Sequence, residues 1–428
     1  MEEENEQMKI TIAGTGYVGL VTAVCLAEKG HFVTCVDVDE KKVETLRKNI
    51  SPIYEPGLQE LMVKNEHRLT YTTDYKKAYS DADVIFIGVG TPEQEDGTAN
   101  LSFVRAVARQ IAENVTRDCV VVVKSTVPIG TNDEVEDYIK TNLKKSGVKI
   151  SVASNPEFLA QGNAVKDTLH AKRIVLGVED DFAKETLLAV YEPFELPMVV
   201  MNRRSAEMTK YASNDFLALK ISYINEIANL CELVGANIKD VTKGMSLDPR
   251  IGDKFLHAGI GYGGSCFPKD TKALYHLAQN KYGYEMKTIK AAIDVNALQK
   301  TKLFYEARKS LGRFDGKNVT VLGLTFKPNT DDLREAPSLD LIKLLEKDGA
   351  IIHAYDPVGM NNFKKTGLEV KLYETAQKAI EQSEIVFVLT EWEEIAEADY
   401  QNKIVYDGRN CVKNKKGIIK YIPIGNYK

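Results

Sequence analysis

Residues 261–270 read Gly-Tyr-Gly-Gly-Ser-Cys-Phe-Pro-Lys-Asp, which sets one thiol, Cys266, between a glycine run and a charged exit made of Lys269 and Asp270. Gly261, Gly263 and Gly264 allow close backbone approach, and Pro268 fixes its own φ. A thiol presented this way can act as a nucleophile, with a lysine and a carboxylate in reach of whatever it attacks. The same loop can equally be a structural turn around an inert cysteine, because free cysteines are among the most buried residues. The loop alone leaves both readings open, so the elements around it must decide.

The first element begins at Lys9, where Ile10-Thr-Ile-Ala13 predicts a strand running into Gly14-Thr-Gly-Tyr-Val-Gly19. A helix over 20–29 follows, closed by Gly30, and a second strand over 32–36 ends at Asp37. That acid lies 18 residues beyond Gly19, close to the ~20 expected of a carboxylate that binds the ribose of a dinucleotide. A bare GxGxxG is weak evidence, but strand, helix and acid together predict a dinucleotide site. Gly14 makes the tight turn, Gly16 admits the pyrophosphate, Gly19 permits close packing, and the helix start favours negative charge. Asp37 selects NAD over NADP, because a 2′-phosphate would meet a carboxylate. Lys42 either attracts such a phosphate or simply opens the next helix in solvent.

Strands over 84–89, 119–124 and 150–154 end in the polar loops Gly90-Thr91-Pro92, Ser-Thr-Val-Pro-Ile-Gly-Thr (125–131) and Asn-Pro-Glu-Phe-Leu (155–159). Ligands of open parallel sheets collect at the carboxyl ends of strands, which makes Thr91, Thr126 and Glu157 candidates from position alone. Residues 204–236 carry a helical apolar period through Met208, Tyr211, Phe216, Leu219, Tyr223, Ile227, Leu230 and Val234. That helix is long enough to bridge domains and to form part of a dimer interface. Lys210 and Asn214, four apart, share one face of it, either as a surface pair or as a buried pair beside the active thiol.

The C-terminal part repeats the first. Asn318-Val-Thr-Val-Leu-Gly-Leu-Thr-Phe326 echoes the first strand and turn, and Ala350-Ile-Ile-His-Ala-Tyr-Asp356 echoes the strand ending in Asp37. Segments 383–389 and 403–409 parallel 82–89 and the strand that starts at Cys119. The copy lacks the glycine triplet and carries Lys327-Pro-Asn-Thr-Asp-Asp-Leu-Arg334 instead, a loop whose two cations suit a nucleotide phosphate better than a whole dinucleotide, unless it is merely solvated. The expected fold is α/β, with two Rossmann-like, doubly wound parallel-sheet domains joined by a central helical dimerisation region.

Composition narrows the function classes. The 428 residues suffice for two or three domains. With 44% hydrophobic and 27% charged residues and a net charge of -5, there is no polyelectrolyte signature, so nucleic acid is not expected as a partner. No apolar run approaches the ~20 residues that span a bilayer, and the stretch from Met1 to Lys9 is polar, so a cytoplasmic protein without membrane attachment is expected. Six cysteines without a CxxC pair argue against a disulfide framework or a zinc site, and no metal is expected. Cys25, Cys35 and Cys119 fall in apolar patterns and read as core.

A thiol between an NAD site and a second nucleotide site has a specific use. A thiolate can add to an aldehyde, and oxidation of the adduct leaves a thioester that water hydrolyses, so an alcohol is carried through to an acid. Taken in order, GTGYVG, STVPIGT, NPEFLAQG, the Lys210/Asn214 helix, GYGGSCFPKD and FKPNTDDLRE resemble the nucleotide-sugar dehydrogenase family that includes the UDP-glucose and GDP-mannose dehydrogenases. The resemblance covers residues 8–409. It implies oxidation of UDP-glucose to UDP-glucuronate with two NAD and one water, and three segments: 1–200 binding NAD, 201–300 helical with the cysteine loop, and 301–428 binding the UDP-sugar.

Carried over by position, Cys266 matches the family's nucleophile, and Lys210 and Asn214 match the pair that stabilises oxyanion charge beside the substrate. Thr126, Glu157 and Asp270 match residues that position water and move protons, with Glu157 the better candidate for the base. Val18, Asp37, Lys42, Thr91, Thr126, Lys269 and Arg334 match NAD contacts, beside Gly14, Gly16, Tyr17, Gly19 and Gly90 in the loops already described. Glu157, Phe158, Leu159, Ala160, Phe255, Leu256, His257, Ala258, Gly259, Gly263 and Lys327 match the sugar-nucleotide site. Arg250 resembles an arginine that reaches a neighbouring subunit's substrate, implying a homodimer, and Arg409 matches a further nucleotide-sugar contact. Gln161 departs from the pattern: many members carry glutamate there, at a position associated with NAD, so altered NAD affinity is expected. Three rivals stay open: a sister enzyme for GDP-mannose or an N-acetylated UDP-sugar, a single-step hydroxyacid dehydrogenase with Cys266 structural, and a binding module without catalysis.

Overall fold

The computed structural model describes residues 7–426; residues 1–6 of the polar N-terminal stretch and residues 427–428 lie outside that description. The chain divides into two compact units, 1–212 and 213–428, with the boundary inside the helix Arg203–Val234. Among the described residues, no helix is long and apolar enough to cross a membrane.

The first unit is built on eight strands: β1 (Lys9–Ala13), β2 (Phe32–Val36), β3 (Leu69–Thr72), β4 (Val84–Ile87), β5 (Cys119–Val123), β6 (Ile150–Ser154), β7 (Ile174–Gly177) and β8 (Met198–Met201). Their order is β3-β2-β1-β4-β5-β6-β7-β8, parallel except where β7 runs antiparallel to β6. The first six positions follow the doubly wound 3-2-1-4-5-6 order, whose crevice lies where the order reverses beside β1. A strand buried on both faces must be apolar throughout, and β5, Cys-Val-Val-Val-Val, meets that demand. Its alternate residues feed separate cores: Val120 and Val122 pack with Ile10, Ile12 and Leu20, while Cys119, Val121 and Val123 pack with Ile85, Ile87 and Ile111. Cys25, Cys35 and Cys119 are fully buried, as the apolar patterns predict.

The second unit carries β9 (Asn318–Leu322), β10 (Ile351–Tyr355), β11 (Lys371–Leu372), β12 (Ile385–Val388), β13 (Ile404–Asp407) and β14 (Lys420–Pro423). Their order, β11-β10-β9-β12-β13-β14, is the same 3-2-1-4-5-6 winding, all parallel. The repeat read from sequence is therefore a repeat of topology. Before this sheet come helices Ile238–Ser246, Phe267–Tyr282 and Lys287–Leu311, which follow the later turns of Arg203–Val234.

Boundaries moved by a few residues, for local reasons. The strand expected over 84–89 stops at Ile87; Gly88 N still donates to the Ala13 carbonyl at 2.9 Å, and the residue packs on Gly19, whose Cα would stand 3.0 Å from a Cβ placed there. The helix expected from residue 20 starts at Tyr17, directly after Gly16. The long helix ends at Val234, where Gly235 turns into the left-handed region.

Candidate active site

In the first unit the glycine loop is packed as a dinucleotide turn requires. A Cβ on Gly19 would lie 1.9 Å from the Gly14 carbonyl, so only glycine lets the helix sit this close to β1, whereas a Cβ on Gly16 meets nothing within 4 Å. Space at Gly16 and contact at Gly19 are what an entering pyrophosphate needs. Asp37, at the end of β2, accepts from Thr15 N (2.9 Å), Thr15 Oγ1 (2.5 Å) and Lys42 Nζ (2.9 Å). Burial would raise this carboxyl, but those donors overcome it and hold it at about 2. Lys42 is thus no solvated lysine: its charge is matched by Asp37 rather than offered to a 2′-phosphate. The residues present fit NAD.

The neighbouring strand ends converge. Thr91 Oγ1 donates to the Thr126 carbonyl at 2.8 Å, which joins the loop after Gly90 to the loop after β5. Glu157 is buried and accepts from Lys210 Nζ at 2.8 Å through Oε1, while its Oε2 accepts from Leu159 N at 2.8 Å. The Phe158 ring lies 4.1 Å from the Arg173 guanidinium and 5.6 Å from the Lys210 ammonium. Ala160 N donates to Asp167 at 2.9 Å. The residue after Gln161, Gly162, donates its N–H to the Tyr17 hydroxyl and to Glu55, and the Tyr17 hydroxyl in turn donates to Glu55. Tyr17 therefore serves as a tie between the glycine loop and the loop that carries Glu157.

In the second unit Cys266 is half-buried and directly precedes the helix Phe267–Tyr282, with Pro268 in the first turn. This 16-residue helix directs its positive end toward the thiol, a field that favours an anion there. Asp270, one turn on and buried, accepts from Asn214 Nδ2 at 2.7 Å and Lys269 Nζ at 2.5 Å. Lys269 is accordingly matched to Asp270. The glycines let two loops mate: a Cβ on Gly263 would stand 2.3 Å from the Glu335 carbonyl, and Gly264 N donates to the Arg334 carbonyl at 2.8 Å. The motifs GYGGSC and FKPNTDDLRE, far apart in sequence, thus form one surface.

The remaining candidates fall into place differently. Arg334 forks onto Asp332, with Nε at 2.9 Å and Nη2 at 2.7 Å, and Lys327 sits 5.6 Å from the Phe326 ring centre. Arg409 spends its guanidinium on the carbonyls of Leu389, Phe326 and Gly261, which makes it a brace beneath the cysteine loop. Phe255 takes a positive φ, Leu256 and Ala258 are buried, and His257 is exposed. Gly259 is clamped by Asn225 and Gln299. Arg250 is exposed and forks onto Asp248. Asp356, the echo of Asp37, is fully buried and accepts from Leu324 N, Thr325 N and Gly359 N, so it shapes its own turn instead of meeting a ribose.

Sequence reasoning missed several residues. Asn296 bonds both the N–H and the carbonyl of Tyr262, fixing the cysteine loop from the Lys287–Leu311 helix. Asp215 is buried, and among the described residues neither of its carboxylate oxygens has a hydrogen-bond partner; burial, with Asp270 adding to it, pushes its carboxyl up to about 8. Lys124 closes an all-apolar strand, and a cation in that place was the available signal.

Two doubly wound domains, a glycine turn fit for NAD and a thiol at a helix start define an NAD-linked dehydrogenase fold with a second nucleotide domain. Family models for the UDP-glucose/GDP-mannose dehydrogenase family match its NAD binding domain at residues 8–195, its central domain at 204–298 and its UDP binding domain at 320–414. The chain belongs to this family. A UDP-glucose 6-dehydrogenase of Bacillus subtilis is 49% identical over 98% of each chain, and one from Rhizobium meliloti is 46% identical over 92% of this chain and 91% of its own. Among solved structures, a UDP-glucose dehydrogenase from Pyrobaculum islandicum superposes with a TM-score of 0.96 at 39% identity, covering 100% of this chain and 99% of that one. A UDP-D-ManNAc dehydrogenase from Pyrococcus horikoshii gives 0.87 at 26%, covering 98% and 99%.

Proposed function

We propose that this protein oxidises UDP-glucose to UDP-glucuronate, reducing two NAD and consuming one water per sugar. The observation that carries this reading is the placement of Cys266 at the start of a helix whose first turn holds Asp270 between Asn214 and Lys269. A purely structural cysteine has no need of that arrangement. Gly14, Gly16, Gly19 and Asp37 would hold NAD, which when bound accepts the hydrogen and electron pair removed from the sugar carbon in each oxidation.

The chain's own residues do the rest. Cys266 adds as thiolate to the aldehyde carbon, forming a C–S bond and placing negative charge on the former carbonyl oxygen. Lys210 and Asn214 stabilise that charge as preorganised donors. At the thioester stage water attacks the carbonyl carbon, the C–S bond breaks and the thiolate leaves. Glu157 takes the proton from water, with Thr126 and Asp270 orienting it. Identity favours UDP-glucose over an N-acetylated sugar, since the archaeal UDP-glucose enzyme is 39% identical and the UDP-D-ManNAc enzyme 26%.

The same reading makes the protein a cytoplasmic homodimer. Phe216, Tyr223, Leu230 and Leu233 leave an exposed apolar stripe on the long helix, and Leu298 and Tyr305 are exposed on Lys287–Leu311, faces that a second copy would cover. Arg250 extends into solvent as a residue offered to a partner would. The deciding experiment is NADH stoichiometry with UDP-glucose and a panel of nucleotide sugars: two NADH per UDP-glucose is expected, and a single NADH would favour a one-step dehydrogenase. Light scattering checks the dimer.

A further inference from the structure

Lys124 follows the last residue of β5, and its side chain is buried. Its Nζ donates to Asn155 Oδ1 at 2.9 Å, the Tyr191 hydroxyl donates to the same oxygen, and Asn155 Nδ2 donates to the Val175 carbonyl at 2.9 Å. Both ends of the Asn155 amide are therefore fixed. Asn155 opens the Asn-Pro-Glu sequence, so its orientation sets the path of the chain into Glu157. A cavity of about 60 Å³, with Lys124, Asn155, Glu157, Phe158, Arg173 and Tyr191 in its wall, surrounds this network. The hydrogen-bond partner of the ammonium is a neutral amide, while Glu157 is bonded to Lys210 instead. Burying an ammonium on a neutral partner costs stability, and proteins retain such an arrangement where it serves function.

We propose that Lys124 is a positioning residue for the reaction: through Asn155 it fixes the loop that carries Glu157, and its ammonium shares the field at Glu157 with Lys210. This rests on the reading of Glu157 as the base. The groups facing Lys124 are Asn155 and Glu157 from the loop after β6, Lys210 from the long helix, Cys25 from Tyr17–Glu28, and Tyr191 from Asp181–Tyr191, with Asp167 and Arg173 completing the wall. Burial lowers the ammonium to about 8, which Glu157 opposes and Lys210 reinforces. Its charge is present below that pH and lost above it.

The test is NADH formation from UDP-glucose by the full-length enzyme between about pH 6 and pH 10, for wild type, Lys124→Met and Asn155→Asp. Wild type is expected to yield two NADH, with kcat declining above pH about 8. Lys124→Met is expected to lose ~10- to ~100-fold in kcat at neutral pH, with KM for NAD little changed and the alkaline decline abolished. Asn155→Asp gives the ammonium a carboxylate partner and should move the decline to higher pH. A Lys124→Met enzyme with wild-type kcat and the same alkaline decline would overturn the proposal. If that variant does not fold, an unmoved decline in Asn155→Asp overturns it instead. Wild type yielding one NADH or none removes the functional reading and this inference with it, whereas two NADH with unmoved profiles removes only the role of Lys124.

Discussion

Asn214 Nδ2 donates to Asp270 Oδ2 at 2.7 Å while Lys269 Nζ holds Oδ1 at 2.5 Å, so both oxygens of a buried carboxylate are engaged one helical turn after Cys266. Replacing Asn214 by Ala leaves Oδ2 without that donor. The expected cost is about 1–3 kcal/mol in stability, together with a clear fall in kcat. Urea unfolding and NADH initial rates measure the two. A stable variant with full kcat would show that Asn214 takes no part in the chemistry.

Cys266→Ala is expected to fold normally, because the thiol is half-buried at a helix start and alanine fits within the same space. Its melting temperature should stay within about 4 °C of wild type, while complete turnover falls by ~1,000-fold or more. Mass spectrometry of wild type quenched during turnover should find the sugar on Cys266, and none on the variant. Undiminished NADH yield in the variant would assign the thiol a structural role.

Asp215 sets a pH dependence of stability. Its carboxyl lies near 3.8 in the unfolded chain and is pushed up to about 8 when folded, so between those values the folded state binds the extra proton. Stability contributed by this group is full below pH 3.8 and is lost as the pH rises toward 8. Asp215→Asn removes the liability. Its unfolding free energy should exceed that of wild type by a margin that widens from pH 5 to pH 8 and reaches on the order of a few kcal/mol, as urea melts at each pH would measure. A margin independent of pH would place the titration elsewhere.

Two glycines that look alike in sequence should respond in opposite ways. Gly263→Ala drives a Cβ to 2.3 Å from the Glu335 carbonyl, a backbone atom that cannot swing aside. Loss of several kcal/mol is expected, about the scale of strong overpacking, with the cysteine loop displaced. Gly16→Ala meets nothing within 4 Å, so its melting temperature should hold while KM for NAD rises several-fold. Thermal melts and NAD titrations of both variants check the contrast, and a destabilised Gly16→Ala enzyme would refute it.

Much of the architecture was legible because it is local. A short apolar run, a glycine turn and an acid at the next strand end are properties of short stretches, and they located β1, β2, β4, β5 and β6 and, in the repeat, β9, β10, β12 and β13. The strands that escaped notice are short or peripheral: β11 has two residues, and the central valines of β8 are exposed, so neither leaves a pattern. Lys210 and Asn214 were legible as a pair from spacing, but their burial was not, since a helix face does not disclose what covers it.

The sequence by itself determined that this chain has two doubly wound nucleotide domains, an NAD turn at Gly14–Gly19 and one thiol in a loop built for close approach. Those conclusions follow from residue types at fixed short intervals. Only the tertiary structure decided what each charge meets: Lys42 on Asp37, Lys269 on Asp270, Lys210 on Glu157, and Lys124 on a neutral amide. It also set Cys266 at the start of a helix and made Arg409 a brace. Partners such as Lys124 and Asn155 sit 31 residues apart, and strand order and register, which no local period encodes, bring them within hydrogen-bonding distance.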